Sequence, residues 1–116
     1  MQSIHHHLSI DHMSQLLKLI SDPTRLTMLK VMQTNQCCVC EFVEMFDISQ
    51  PAISQHLKKL KDGGLVHEKR NGHWIFYSLN PSYPHAEMLQ TVLDAVTSQD
   101  DRLDELTKKG LRVSCN

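Results

Sequence analysis

Three thiols fall within four positions of the stretch "NQCCVCEF", residues 35 to 42: Cys37, Cys38 and Cys40. The remaining cysteine, Cys115, stands next to the final residue. Cysteines that staple a secreted domain are spread along its chain, because neighbouring cysteines cannot hold distant segments together. A tight cluster points instead to metal binding or redox chemistry. Thiolates are soft ligands and select thiophilic ions over magnesium or calcium. On a helix, residues two apart diverge by about 200°, so Cys38 and Cys40 would face different ways, whereas Cys37 and Cys40 would share a face. One ion held by Cys38 and Cys40 therefore requires a helix that begins late or distorts. A helix N-terminus there would also favour the thiolate form. Cys37 and Cys40 are also a C-x-x-C pair, so a reversible disulfide is an alternative use. The βαβ context of a thioredoxin-like enzyme is missing. Three cysteines this close cannot all occupy one buried face, which argues against inert packing.

The elements around the cluster come next. At 116 residues, 41% hydrophobic and 22% charged, the chain has the size and composition of one ordinary globular domain. No apolar run approaches the roughly 18 residues of a membrane helix. The start "MQSIHHHLSIDHM" lacks the order of a signal peptide. A cytoplasmic location is expected. Residues 8 to 20 read as a helix. Asp22 and Pro23 then supply an N-cap and a first helical position for a second, along which Leu26, Leu29 and Met32 recur at helical spacing. A short third helix spans about Cys38 to Met45. Ser49 caps a fourth, with Pro51 in its first turn and an apolar stripe of Ile53, Leu57 and Leu60. The "DGG" at 62 to 64 stops it. Two β-rich runs flank Asn71-Gly72, a favoured type I′ hairpin pair. Met88, Leu89, Val92, Leu93 and Val96 mark a long amphipathic helix continuing through Leu103 and Leu106. Trp74, Phe76 and Tyr77 read as strand packing beneath the hairpin, and Met28, Met32 and Met45 as core.

The expected fold is mainly α with a two-stranded β-hairpin: a winged helix-turn-helix. A flexible tail covers residues 1–12, the folded domain 13–109, and an irregular C-terminal tail 110–116. The formal net charge is −1, yet residues 49 to 72 carry a local balance of +3 between flanks of −2 each. Basic charge is thus concentrated on the capped helix and hairpin, where it suits phosphate contact. Gln50, Ser54 and Gln55 lie at the N-terminal end of that helix, the end that enters a major groove first. Lys58, Lys59 and Lys61 suit phosphates, as do Lys69 and Arg70 on the hairpin. His56 suits either base contact or a half-buried structural position. No phosphate loop and no Ser, His and carboxylate arrangement suggests an enzyme.

"SDPTRLTMLKVM", "CVCEF", "DISQPAISQHLKKLKDGGLV" and "RNGHWIFYSLNP", in that order, resemble the ArsR/SmtB family of winged-helix repressors over roughly residues 13 to 96. The resemblance implies a homodimer, formed through the first and last helices, that binds double-stranded operator DNA and leaves it when an inducer binds. Cys38-Val39-Cys40 is similar to the Cys-Val-Cys element of the branch that senses arsenicals and cadmium. This implies As(III) or Sb(III) as inducer, with Cd(II) or Pb(II) as alternatives and thiol oxidation as another. In the arsenical sensors a third cysteine follows three residues after the second. Here that position is Val43, so the third ligand must come from Cys37 or from Cys115. The zinc-sensing branch uses carboxylates and histidines of the last helix, but no histidine follows His85 here. His5, His6, His7 and His12 are read as tail residues rather than ligands.

Overall fold

The computed structural model describes residues 7–113. Its elements follow the order α1 (Ile10–Ser21), α2 (Pro23–Met32), β1 (Cys37–Cys38), α3 (Val39–Phe46), α4 (Gln50–Asp62), β2 (Val66–Asn71), β3 (Trp74–Leu79), α5 (Ala86–Asp94) and α6 (Asp100–Lys108). Caps explain several of the boundaries. Ser9 accepts from the His12 amide at the start of α1, and Asp22 accepts from the Arg25 amide at the start of α2, with Pro23 just inside. Ser49 does the same for α4 through the Ala52 amide at 3.3 Å. Between α3 and α4 the chain turns at Asp47, a non-glycine residue at φ 53°, a conformation that aspartate tolerates. That single left-handed residue makes the tight turn of a helix-turn-helix.

Ile53, Leu57 and Leu60 of α4 are buried and join Leu16, Ile20, Met28, Leu29, Phe42 and Leu93 in one core. The winged-helix expectation is met, with an added strand. β1 pairs antiparallel with β3, Cys37 opposite Tyr77 and Cys38 opposite Phe76, so the sheet has three strands in the order β1-β3-β2. The turn also falls one residue later than the sequence suggests. Asn71 pairs with Trp74, leaving Gly72 and His73 as the central residues. Only Gly72 has a positive φ, the pattern of a type II′ rather than a type I′ turn.

The expected long final helix is two helices. α5 ends at Asp94, and the Val96 amide turns back to the Leu93 carbonyl. The β-branched Val96 and Thr97 lose side-chain freedom in a helix. Ser98 then takes the Asp100 amide at 3.2 Å, competing with helical pairing. The break lets α6 turn so that Leu103 and Leu106 are buried and Arg102 lies over the Phe46 ring at 5.2 Å. No helix among the described residues is long and apolar enough to cross a membrane.

Candidate DNA-reading surface and thiol site

With its apolar stripe turned inward, α4 presents Gln50, Ser54, Gln55, Lys58 and Lys59 to solvent. Lys69 and Arg70 are exposed on β2, opposite Phe76 and Ile75 of β3. The polar and basic residues singled out in the sequence therefore share an accessible helix and an adjoining wing. Lys58 pairs with Asp62 at 2.7 Å and Lys61 with Glu68 at 2.7 Å, both on the surface, where such pairs contribute little stability. His56 takes the half-buried structural role. Its Nδ1 lies 3.1 Å from an Arg25 amino group, and Arg25 also donates to the Leu19 and Lys18 carbonyls. The recognition helix is thereby tied to the junction of α1 and α2.

The thiol cluster is divided by β1. Side chains alternate across a strand, so Cys37 and Cys38 point to opposite sides. Cys37 enters the core and has no exposed surface. Burial, reinforced by the nearby Glu41 charge, pushes its pKa up to about 12. Cys38 stands at the N-cap of α3 and Cys40 in the first turn. The helix starts late enough that these two thiols lie side by side, and Cys40 influences the ionisation of Cys38. Desolvation first, and the neighbouring Cys40 thiol second, raise the Cys38 pKa to about 12. All three cysteines are free thiols. Cys115 lies outside the described residues.

Cys38 and Cys40 open on a groove of about 370 Å³ whose lining includes Glu44, Gln50, His73 and Trp74. The groove thus has α3 on one side and, on the other, the first residue of α4 and the turn of the wing. Trp74 does not pack beneath the wing as its type suggests; it is 45% exposed, whereas Phe76 is buried and Tyr77 half-buried. Among the described residues no three His, Cys, Asp or Glu side chains are gathered closely enough to hold a metal ion. Two sulfurs are together, and the third sits across the strand.

Two residues that sequence reasoning passed over organise this region. Glu41 has no exposed surface, and its carboxylate accepts from the Cys38 amide at 2.9 Å, the Val113 amide at 2.9 Å and the Arg112 guanidinium. Glu41 is at N3 of α3, the usual place for a carboxylate that reaches back to the N-cap amide, so that signal was present. For Arg112, in an irregular tail, there was none.

Residues 22–68 match the bacterial regulatory protein family arsR. The chain is 34% identical over 93 residues to an arsenical resistance operon repressor of Staphylococcus xylosus, covering 80% of this chain and 88% of that protein. It is 31% identical over 103 residues to the arsenical resistance operon repressor of Escherichia coli K12, covering 88% and 87%. In structure it is similar to the transcriptional repressor BigR of Xylella fastidiosa, with a TM-score of 0.62 and 30% identity over 71% of this chain and 80% of that one. The chain belongs to the arsR family, as a winged-helix, DNA-binding transcriptional repressor and not an enzyme.

Proposed function

We propose that this repressor leaves its operator when trivalent arsenic or antimony binds its cysteine thiolates, with Cys38 and Cys40 as the first two ligands and Cys37 or Cys115 as the third. The observation that carries the reading is the paired Cys38 and Cys40 thiols, which open on a groove walled by Gln50, His73 and Trp74. The names of the Staphylococcus and Escherichia relatives support it. Trivalent arsenic supplies a centre that exchanges hydroxyl for sulfur, each As–S bond releasing one water from a hydroxyl and a thiol proton. The chain's own part is to hold two thiols side by side and to link them to the DNA-reading surface.

That link is short. α3 and α4 are the two helices of the helix-turn-helix, joined only by Asp47, Ile48 and Ser49. Filling the groove displaces the start of α3 or the start of α4, and Gln50 is the first residue of the helix proposed to read bases. In a dimer, both recognition helices must match half-sites about 34 Å apart. Dimerisation through α1 and the C-terminal helices is part of the proposal; Ile10 and Leu17 of α1 are exposed apolar residues suited to it. A coupling free energy of about 1–3 kcal/mol between the thiol site and DNA would weaken binding roughly 5–150-fold. Cys38→Ser and Cys40→Ser test the reading by fluorescence anisotropy on a duplex from upstream of the gene. Each is expected to keep operator affinity and to lose release by arsenite. Loss of DNA binding itself would make the cysteines structural and end the proposal.

A further inference from the structure

We infer that Arg112 and Glu41 form a latch that fixes the thiol-bearing turn and withholds Cys37 in the core, and that opening it supplies Cys37 to an ion seated at Cys38 and Cys40. The inference rests on the thiol trigger proposed above and assigns its third sulfur. Three observations carry it. One carboxylate, fully buried, joins the backbone of Cys38 to the backbone of Val113, each at 2.9 Å. The guanidinium that neutralises it also reaches the Gln36 carbonyl at 3.4 Å and the Cys37 sulfur at 4.0 Å. One arginine–carboxylate pair therefore holds residues 36, 37, 38 and 113 together. β1 itself is only two residues long, so its ladder with Tyr77 and Phe76 is a weak restraint on its own.

The tail reaches this place because the end of α6 is built to turn it. Gly110 adopts φ 72° and the Leu111 amide returns to the Leu106 carbonyl at 2.9 Å, a Schellman-type stop. Leu103 and Leu106 anchor the helix in the core. Arg112 is then delivered to Glu41, and residues 111–113, although irregular, are not loose. A buried carboxylate stripped of its cation is strongly unfavourable, so the latch opens as a unit rather than one bond at a time. With Arg112 withdrawn, only the two-residue ladder and the packing of its own small side chain in the core keep Cys37 on the inner side of β1. Rotation of the chain at Gln36 and Cys37 brings that sulfur round to its neighbours, at the expense of the start of α3. The third As–S bond and the distortion of the helix-turn-helix are then one event.

Reduced, metal-free, full-length protein tests the latch without any inducer. Alkylation by N-ethylmaleimide is followed at each cysteine by tandem mass spectrometry, in the wild type, Arg112→Ala and Arg112→Lys. Opening of the latch is local, so Cys37 is expected to react about tenfold faster or more in Arg112→Ala. Cys40, already exposed, should change far less, and Arg112→Lys should restore most of the protection of Cys37. Cys37 equally protected in Arg112→Ala overturns the inference. Should that variant not fold, hydrogen exchange of the wild-type Val113 amide decides. The amide is expected to lose protection when arsenite blocks Cys40, and full protection with arsenite bound overturns the latch. Arsenite that leaves Cys40 reactive contradicts the thiol trigger alone, and the alkylation comparison still judges the latch.

Discussion

A carboxylate with no exposed surface has to be paired, and Glu41 obtains its partners from two backbone amides and a guanidinium. The same need places a cation beside Cys37 and fixes the N-cap of α3, so the buried ion pair sets where each thiol points. With their pKa values raised to about 12 by burial, Cys37 and Cys38 are neutral thiols at pH 7. Trp74, the single tryptophan, offers a direct view of the groove it lines with Cys38 and Cys40. Arsenite is expected to change its fluorescence in the wild type and not in Cys38→Ser; an unchanged signal in both would place binding elsewhere. At this scale the sequence was informative about chemistry and poor on direction. The three cysteines stood out by type and spacing, but strand alternation at Cys37 and Cys38 was invisible because two residues carry no pattern. The exposure of Trp74 was hidden for a related reason: aromatic type says nothing about which face of a hairpin looks outward.

Among the elements, α4 is the best specified. Its cap at Ser49, the proline after Gln50 and the stripe of Ile53, Leu57 and Leu60 all agree, and the structure follows them. That agreement makes the reading face testable. Gln55→Ala is expected to cost about 1–3 kcal/mol of operator affinity and to relax preference at one base pair. Lys58→Ala should weaken binding to all sequences alike and lower the salt slope by about one. A Gln55→Ala loss equal on operator and random duplex would remove it from base reading. The less legible elements are the short ones. β1 adds a third strand that no periodicity announces. The break between α5 and α6 rests on Val96, Thr97 and Ser98, where weak propensities and one side-chain hydrogen bond outweigh a continuous apolar stripe. The hairpin was legible in position and off by one residue in its turn, since Asn71 pairs in the ladder and leaves Gly72 to start the reversal.

For the whole molecule, a net charge of −1 conceals a basic helix and wing set between acidic flanks. That asymmetry suits a repressor that meets DNA by one face, and the low net charge suits weak non-specific attraction. The structure places the thiol groove at the seam between α3, α4 and the wing, and the C-terminal tail locks the far side of that seam. The proposed release follows from this arrangement: the thiol groove shares Gln50 and the wing turn with the surface proposed to hold DNA. Titration of the operator-bound wild-type protein with arsenite, followed by anisotropy at fixed salt under reducing conditions, tests this most directly. Release of the duplex is expected at about two equivalents per dimer, because two-fold symmetry gives each protomer the same site. Anisotropy that stays high through a large excess of arsenite would contradict the arsenical trigger and leave cadmium, lead or oxidation to release this repressor.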